Sequence, residues 1–342
     1  MVAPGAVSIA EAMALAVDAS ETARGISSPN PAVGAVILDI DGTVVGIGST
    51  RPPGGPHAEV VALAEAGDRA RGGTAVVTLE PCNHTGRTGP CSKALIDAGI
   101  VAVVHAVADP NPLASGGAET LRAAGVRVEQ GIGEREVRQG PLRAWLHKQR
   151  TGRPHVTWKY AATLDGRSAA ADGTSQWITG PQAREHVHTE RAKLDAIVVG
   201  TGTVLADDPR LTARLPDGTL APHQPVRVVV GSRPTPSTAR IRNADARTMF
   251  LDTHDPLAVI DALDEYTDIQ IEGGPTLAGA FLAAGVVDRV VAYLAPAVLG
   301  SGSAAVENAG IGTIADAIRF RTETVTMIGN DILIGVVPEG AK

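Results

Sequence analysis

One short region of the sequence holds a set of side chains that can bind a metal ion. His57 and Glu59 form an H-x-E motif, and the only two cysteines, Cys82 and Cys91, follow in one loop rich in Gly and Pro. One imidazole and two thiolates leave a fourth tetrahedral position for water, as in catalytic zinc sites. Zinc lowers the pKa of such a water to about 7, which provides a hydroxide nucleophile at neutral pH. We expect Glu59 to carry protons from this water to a leaving amine.

The spacing of these residues largely matches the signature of zinc-dependent nucleobase deaminases. That signature reads H-x-E and then P-C-x-x-C, and its Glu carries protons without binding the metal. Here the H-x-E motif and Pro81-Cys82 match, but the cysteines are spaced as C-x8-C. Each part of this signature also has a non-catalytic interpretation. H-x-E pairs occur on protein surfaces, and cysteines are often inert thiols in the core. A disulfide is the main alternative to zinc, and we expect none because the sequence has no signal peptide.

Length and composition indicate a globular protein of two domains. A chain of 342 residues is too long for one ordinary core. Hydrophobic residues make up 44% and aromatic residues 3%, so small aliphatic side chains must fill the cores. The formal net charge of −7 disfavours a nucleic-acid surface, which needs a basic face. No apolar run approaches the roughly 18 residues of a membrane span. We therefore expect a cytoplasmic protein with no nucleic-acid or membrane partner.

The candidate zinc ligands fall within a predicted alternation of strands and helices. Ser8 and Glu11 form a capping box that starts a helix ending near Gly25. Further helices are predicted over 58–66, directly after His57, and over 91–98, starting at Cys91. A single helix over 135–149 then leads to the segment 151–154, which has the composition of a domain joint. This alternation implies a sheet with helices packed on its faces.

Two glycine-containing segments in the second half follow predicted strands. The strand 269–271 runs into Gly273-Gly274 before a predicted helix, and the strand 196–199 runs into the loop 200–203. Free backbone N–H groups at a helix start attract phosphate, so Gly273-Gly274 suits a cofactor pyrophosphate. Either segment alone is equally well a tight strand–helix connection. Together they favour a dinucleotide site.

Across nearly its whole length the chain resembles the bifunctional riboflavin-biosynthesis deaminase/reductase family. The long gap between the cysteines is typical of this family and separates it from cytidine and tRNA adenosine deaminases. In the first half the matching motifs are Pro29-Asn30-Pro31-Ala32-Val33-Gly34, His57-Ala58-Glu59, the segment 81–91 and Asp109-Pro110-Asn111-Pro112. In the second half they are Lys159, Leu164-Asp165-Gly166-Arg167, Ser175-Gln176-Trp177-Ile178-Thr179, Arg191, the segment 203–209, Leu211, Arg214 and Glu272-Gly273-Gly274-Pro275-Thr276.

The resemblance implies an α/β fold in both halves and two reactions. Residues 1–150 would form a cytidine-deaminase-like α/β/α domain, and residues 151–342 a dihydrofolate-reductase-like α/β domain. The first domain would use zinc to deaminate a diaminopyrimidinone ribosylamine phosphate. The second would use NADPH to reduce the ribosyl group to ribityl. The implied partners are thus phosphorylated pyrimidine substrates, and the implied assembly is a homo-oligomer, a dimer or larger.

Matching motifs also imply roles for individual residues. The zinc ligands would be His57, Cys82 and Cys91, with Glu59 moving protons, and the first substrate would contact Asn30, His84 and Arg87. The cofactor positions would be Ala161, Trp177, Thr203, Asp207, Ser232, Gly274, Pro275 and Thr276. The substrate positions of the reductase would be Ser175, Arg191, Leu211, Arg214 and Glu272. We further expect Asp207 to orient the reacting groups and Lys159 to supply positive charge or a proton.

One position departs from the family pattern, and two other functions compete with the one implied. Thr50 stands where the family usually has His, and Arg51 is the candidate to replace the lost contact. A nucleoside or tRNA deaminase fused to an unrelated nucleotide-binding domain is the first alternative. The second is a binding module stabilised by zinc, although structural zinc normally has four protein ligands and no fourth is evident.

Overall fold

Residues 5–84 and 89–340 are described by a computed structural model of the chain. Contacts between residues divide the chain into two units, Met1–Gly152 and Arg153–Lys342. The last helix of the first unit ends at Thr151, and Gly152 follows it with a φ of 76°. This left-handed conformation favours glycine, which makes Gly152 a natural end to the helix.

The first unit alternates strands and helices as predicted. Its strands are β1 (Gly34–Leu38), β2 (Val44–Ser49), β3 (Thr74–Leu79), β4 (Ala102–Val107) and β5 (Arg127–Gln130). Its helices are α1 (Ile9–Glu21), α2 (Ala58–Ala66), α3 (Cys91–Asp97), α4 (Gly117–Ala123), α5 (Glu134–Gln139) and α6 (Arg143–Thr151). The strands form one sheet in the order β2-β1-β3-β4-β5. Strand β1 runs antiparallel to both β2 and β3, whereas β3, β4 and β5 are parallel.

Two glycines on β2 let helix α2 lie directly against the sheet. A Cβ atom added at Gly46 would lie 2.1 Å from the carbonyl oxygen of Ala62, and one added at Gly48 would lie 2.2 Å from that of Ala58. No side chain fits at either position, so the helix and strand backbones approach closely. This close packing fixes the start of α2, where His57 and Glu59 are located.

Two of the predicted helices in this unit differ from the structure. Helix α1 has the predicted capping box, since the Glu11 N–H donates to Ser8 Oγ and the Ser8 N–H donates to Glu11, but it ends at Glu21, before the predicted end. The helix predicted over 135–149 is wrong as a single element, because Gly140 and Pro141 separate α5 from α6. Proline disfavours helical geometry at the preceding residue and lacks the N–H that would continue the helix.

The second unit contains a longer, mostly parallel sheet. Its strands are β6 (His155–Thr163), β7 (Ala196–Gly200), β8 (Val226–Val230), β9 (Thr248–Leu251), β10 (Asp268–Ile271), β11 (Arg289–Ala295), β12 (Phe320–Ile328) and β13 (Asp331–Pro338). Its helices are α7 (Pro181–Arg191), α8 (Thr201–Asp207), α9 (Pro256–Ala262) and α10 (Pro275–Ala283). The strand order is β12-β13-β11-β6-β10-β7-β8-β9. The strands from β11 to β9 in this order are parallel, and β13 and β12 pair antiparallel at one edge.

Parallel pairing places the carboxyl-terminal ends of β6, β10, β7 and β8 side by side, along what is called here the carboxyl edge of the second sheet. Open α/β sheets bind ligands at the carboxyl ends of their strands. The residues 200–203, predicted as a loop, instead enter helix α8 at Thr201. Strand β9 and helix α9 were not predicted. Within the described parts of the chain, no helix is long and apolar enough to cross a membrane.

Candidate active sites

Three side chains of the first unit converge on one point. His57 is the N-cap residue of α2, Cys82 follows β3, and Cys91 is the first residue of α3. The His57 Nδ1 atom lies 3.5 Å from Cys82 Sγ and 3.3 Å from Cys91 Sγ. All three ligand atoms lie within 4.8 Å of one another. Both cysteines are buried, and neither forms a disulfide. The structure thus brings together the residues predicted as metal ligands.

The separations between these atoms fit zinc. With Zn–N near 2.0–2.1 Å and Zn–S near 2.3 Å, tetrahedral angles place nitrogen and sulfur ligands about 3.5 Å apart. The two N···S distances of 3.5 and 3.3 Å therefore match one tetrahedral ion. Among the described residues this cluster supplies three protein ligands, which leaves a coordination position open.

Helix α3 helps to hold Cys82 as a thiolate. The Cys91 backbone N–H donates to Cys82 Sγ over 3.4 Å. Hydrogen bonds from the Cys91 side chain, His57 and this N–H together lower the pKa of the Cys82 thiol well below its usual range. A thiolate is the form of cysteine that binds a metal.

Glu59 is the second residue of α2, beside the cluster, and only 4% of its surface is exposed. Burial raises the pKa of its carboxyl to about 7, with a smaller contribution from the negative charge of Cys82. A carboxyl with a pKa near neutrality both gives and takes protons readily. Glu59 is therefore positioned and tuned as a proton carrier.

A cavity of about 250 Å³ opens beside the cluster. It is lined by His57, Glu59 and Cys82 together with two of the predicted substrate contacts, Asn30 and His84. The third predicted contact, Arg87, lies outside the described residues. The other lining residues are Pro29, Pro31, Val33, Thr50, Leu79, Glu80, Asp109, Asn111, Ala114, Trp145 and Gln149.

Glu80 also lines the cavity, although the sequence analysis did not identify it as a site residue. Its Oε1 atom accepts the backbone N–H groups of Gly116 and Ala118 over 3.2 and 3.0 Å, and its Oε2 accepts that of Asp109 over 3.2 Å. The buried carboxylate thereby fixes the loop that carries Asp109 and Asn111 into the wall of the cavity. The only local signal was its position directly before Pro81-Cys82.

Thr50 also lines the cavity, at the position that departs from the family pattern. Its hydroxyl accepts the Val33 N–H over 3.1 Å and is buried. Arg51, suggested as a replacement contact, is exposed and is not among the lining residues. Thr50 therefore binds the backbone of Val33, directly before strand β1.

A largely buried cluster of charged side chains forms the centre of the candidate site in the second unit. Arg191, the last residue of α7, donates from Nε and Nη2 to the Glu272 carboxylate over 2.8 and 2.7 Å. Lys159 on β6 lies 3.9 Å from the same carboxylate. Gln270 Nε2 also donates to Glu272, over 2.9 Å. Because β10 pairs with β6 in parallel, Glu272 leaves the sheet beside Lys159.

These charges strongly affect each other. Burial alone would raise the pKa of Glu272, but the positive charges of Arg191 and Lys159 outweigh it and hold the pKa at about 2. Burial lowers the pKa of Lys159, while Glu272 acts in the opposite direction. The Tyr293 ring lies 5.4 Å from Lys159 Nζ and covers it on one side. Neither Gln270 nor Tyr293 was predicted, because no local sequence signal marks them.

The predicted cofactor positions surround the carboxyl edge of the same sheet. The Gly274 N–H donates to Thr203 Oγ1 over 3.1 Å, which joins the starts of α10 and α8. Pro275 is the first residue of α10, and the N–H of Thr276 has no partner among the residues that the structure describes. Helix starts with free N–H groups suit a pyrophosphate, so these residues fit a dinucleotide. Ala161 lies on β6.

The remaining residues predicted for the second site differ in their contacts and in their exposure to solvent. The hydroxyl of the half-buried Ser175 donates to the exposed Asp207 at the end of α8 over 3.3 Å. Trp177 is 71% exposed and stacks on the Arg184 guanidinium at 4.5 Å. Leu211 is buried in a small apolar cluster, so only its backbone can contact a ligand.

Two predicted polar positions keep donors free for a ligand. Arg214 is half-buried and donates from Nη1 to the Gly218 carbonyl over 2.7 Å, which leaves the rest of its guanidinium unpaired among the described residues. Ser232 follows β8 and is exposed.

Known proteins match the chain over both units. The family model for the RibD C-terminal domain matches residues 154–334, and that for the cytidine and deoxycytidylate deaminase zinc-binding region matches residues 7–107. The riboflavin biosynthesis protein RibD of Mycobacterium tuberculosis is 57% identical over 96% of this chain and 97% of its own length. That of Escherichia coli is 40% identical, over 95% and 98%. The chain belongs to the RibD family.

Solved RibD structures share the fold of the whole chain. Acinetobacter baumannii RibD matches with a TM-score of 0.84 and 37% identity, over 96% of this chain and 98% of its own. A diaminohydroxyphosphoribosylaminopyrimidine deaminase/5-amino-6-(5-phosphoribosylamino)uracil reductase from Thermotoga maritima matches with a TM-score of 0.87 and 31% identity, over the same shares. The resemblance and the α/β fold class predicted from the sequence are thereby confirmed. Because the second unit matches the RibD C-terminal domain, the alternative of a nucleoside or tRNA deaminase fused to an unrelated nucleotide-binding domain is not favoured.

Proposed function

We propose that the chain catalyses two reactions of riboflavin biosynthesis, one in each unit. The first unit deaminates a diaminohydroxyphosphoribosylaminopyrimidine with the help of zinc, and the second reduces 5-amino-6-(5-phosphoribosylamino)uracil with NADPH. The observation that supports this proposal most directly is the cluster of His57, Cys82 and Cys91 beside the buried Glu59 in a RibD-family chain. Residues 1–150 and 151–342 are the proposed deaminase and reductase domains.

In the deaminase, His57, Cys82 and Cys91 would hold the zinc ion. Bound zinc supplies Lewis-acid chemistry that makes water nucleophilic at neutral pH. Glu59 takes a proton from the attacking water and delivers it to the departing amine nitrogen, a role that suits its raised pKa. Asn30 and His84 line the cavity and orient the pyrimidine ring through hydrogen bonds, and Arg87 is a further proposed contact.

In the reductase, the cofactor would lie along the carboxyl edge of the sheet. Bound NADPH supplies a hydride to C1′ of the ribosyl group. Gly274, Pro275 and Thr276, next to Thr203, would hold its pyrophosphate, and Ala161, Trp177 and Ser232 would be further cofactor contacts. Lys159 donates the proton that the sugar ring oxygen needs when its bond to C1′ breaks.

The arginines and carboxylates of the reductase take different roles in this proposal. Asp207, held by Ser175, orients the ribose beside the nicotinamide. The Arg191 guanidinium already binds the Glu272 carboxylate, so these two residues shape the site around Lys159. Arg214 keeps free donors and is therefore the stronger candidate for the substrate phosphate, and Leu211 is a further proposed substrate contact.

Assembly and location form the less specific part of the proposal. The chain would work as a homo-oligomer, a dimer or larger, in the cytoplasm, on phosphorylated pyrimidines and without nucleic-acid or membrane partners. The net charge of −7 supports the lack of a nucleic-acid partner. Light scattering of the purified protein would measure the assembly.

Ammonia release from the diaminopyrimidine phosphate, with and without a zinc chelator, tests the proposal. We expect release that stops on chelation and returns with added zinc, followed by NADPH oxidation when the deaminated product forms. A nucleoside or tRNA deaminase would release ammonia from those substrates instead. A protein that holds zinc yet releases no ammonia from any of them would indicate a binding module.

A further inference from the structure

Helix α7 carries a histidine that is bonded to the segment around Arg214. His188 lies three positions before Arg191, so the two side chains are neighbours on one face of the helix. The His188 Nδ1 atom lies 3.1 Å from the Thr212 carbonyl oxygen, and Arg191 Nη1 donates to the same oxygen over 3.4 Å. Thr212 is buried and precedes Arg214 by two residues. The two side chains thus hold the segment that carries Arg214 against α7.

The contact with Thr212 fixes the state of the His188 ring. A carbonyl oxygen can only accept a hydrogen bond, so Nδ1 carries the hydrogen and donates it to Thr212. In the neutral ring Nε2 is then an acceptor, with a lone pair and no hydrogen. This atom has no hydrogen-bond partner among the residues that the structure describes, and it is not enclosed by protein. It is therefore available to a ligand.

The surroundings of His188 oppose its protonation in the free protein. Burial lowers the pKa of the imidazole, and the positive charges of Arg191 and Arg214 lower it further. The hydrogen bond to Thr212 and the negative charge of Glu272 act in the opposite direction without outweighing them. His188 is thus mainly neutral at pH 7, in a place where two guanidinium groups attract an anion.

We infer that His188 binds the phosphate of the reductase substrate beside Arg214 and takes up a proton as it does so. This inference rests on the proposed reductase function, in which Arg214 receives that phosphate. A phosphate dianion offers only acceptor oxygens, so a neutral Nε2 would repel it, whereas a protonated Nε2 donates a hydrogen bond to it. The negative charge of the phosphate also offsets the nearby guanidinium groups and so favours the imidazolium. The proton comes from solvent and is bound at Nε2.

Substrate affinity should therefore decrease as pH rises. Bound phosphate raises the pKa of His188 above its lowered value in the free protein, so a proton is taken up on binding at any pH between these two values. Within this window the Kd rises with pH. The phosphate itself has a second pKa of about 6, and its titration acts in the opposite direction because its charge becomes more negative as pH rises.

Calorimetric titration of the full-length protein with ribose 5-phosphate tests the inference, and ribose, which lacks the phosphate, is the control ligand. Titrations in buffers with different ionisation enthalpies report how many protons are taken up. The variant is His188→Gln, because a Gln amide can still donate to Thr212 but does not titrate. His186→Gln is the matched control, since His186 lies on the same helix and contacts the Tyr293 hydroxyl instead.

For the wild type and for His186→Gln we expect the Kd of ribose 5-phosphate to rise about three- to tenfold between pH 6.5 and pH 8, with uptake of a fraction of one proton. In His188→Gln the Kd should be nearly independent of pH, and proton uptake should be lost. The Kd of NADPH should be the same in the wild type and in His188→Gln. An NMR titration of the His188 ring in the wild type needs no variant, and its pKa should rise with ribose 5-phosphate and not with ribose.

Three results would overturn the inference. They are a wild type that does not bind ribose 5-phosphate or binds it without proton uptake, the same uptake in His188→Gln, and a loss of affinity in His188→Gln for NADPH in place of ribose 5-phosphate. The proposed function would survive each of them, because NADPH oxidation with the aminouracil substrate tests it separately. Wild-type protein that oxidises no NADPH with this substrate would overturn both.

Discussion

Glu59 and Glu272 are both buried carboxylates, yet their surroundings give them opposite properties. Glu59 lies in the wall of a cavity beside the cysteine ligands, and burial raises its pKa to about 7. Glu272 is buried between Arg191 and Lys159, which hold its pKa at about 2. A carboxylate without a cation partner exchanges protons at neutral pH, whereas one with two cation partners stays ionised.

The two sites therefore use buried charge for different purposes. In the mechanism proposed for the first unit, the carboxyl takes part in the chemistry as a proton carrier. In the second unit the carboxylate binds Arg191 and lies beside Lys159, and the proposed proton donor is the lysine. The predictions that follow test this difference, in order of decreasing effect.

The largest effect is expected from Cys82→Ser. Replacing one of three protein ligands should remove zinc and reduce deamination to background, because the site then lacks a soft thiolate. NADPH-dependent reduction by the second unit should continue, which also shows that the variant is folded. Metal analysis and separate assays of the two activities measure this. Active deaminase without zinc would contradict the metal assignment.

Glu59→Gln is expected to slow deamination about 10²- to 10⁴-fold, because proton transfer contributes that much to typical reactions. Zinc content should remain at the wild-type level, since Glu59 is adjacent to the ligands and is not one of them. The matched control is Glu65→Gln in the same helix, whose side chain accepts the Ile47 N–H at an exposed position. Loss of zinc in Glu59→Gln would make Glu59 a ligand instead.

The first site could be predicted largely from local sequence, and the second could not. His57, Glu59, Cys82 and Cys91 lie in compact motifs whose spacing already specifies zinc chemistry. Arg191, Lys159 and Glu272 come from a helix end and two strands that are distant in sequence, so only the parallel pairing of β6 and β10 brings them together. Motifs therefore identified these residues without showing that Arg191 binds Glu272.

Buried residues without a motif were missed for the same reason. Glu80 accepts three backbone N–H groups that lie 29 to 38 residues later, at Asp109, Gly116 and Ala118. Tyr293 meets Lys159 only because β11 pairs with β6. Helix boundaries follow local rules, and Pro141 is the local signal that divides the segment 135–149 into two helices.

Glu272→Gln should destabilise the second unit by about 3 kcal/mol at pH 7. Lowering a carboxyl pKa from 4.5 in the unfolded chain to about 2 corresponds to roughly that free energy. Removing the carboxylate also leaves Arg191 and Lys159 buried without their partner. Hydrogen exchange of peptides from β6 and β10 measures the change, and peptides from β3 in the first unit are the internal control.

The effect of Glu272→Gln on stability should depend on pH in a defined way. Because the folded-state pKa of Glu272 is depressed, its stabilising contribution is complete above about pH 4.5 and declines as pH falls toward 2. The difference in stability between wild type and Glu272→Gln should therefore be constant from pH 7 to 5 and about 1 kcal/mol smaller at pH 3.5. A difference that grows on acidification would show that the carboxyl is not ionised in the folded protein.

Asp207→Asn should lower the kcat of the reductase about 100-fold and change the Kd for NADPH little, as expected for a group that orients the reacting atoms. Its neighbour Asp208 is a suitable control, because its side chain accepts the Arg240 N–H and has a structural role. Stopped-flow measurement of NADPH oxidation separates hydride transfer from binding. Wild-type turnover in Asp207→Asn would leave Asp207 only as the residue that ends helix α8.

The smallest effect is expected from Arg214→Ala, which should raise the KM for the phosphorylated substrate about tenfold and leave kcat nearly unchanged. Arg214 is joined to the protein by a single hydrogen bond to the Gly218 carbonyl, so it can turn free donors toward a phosphate without disturbing the buried cluster. Arg191→Ala makes the comparison sharper. Because Arg191 binds the Glu272 carboxylate, we expect Arg191→Ala to disturb the buried charges and so to lower both kcat and the stability of the second unit. If Arg214→Ala lost kcat while Arg191→Ala raised only KM, the phosphate would bind at Arg191, and the buried cluster would open to admit substrate.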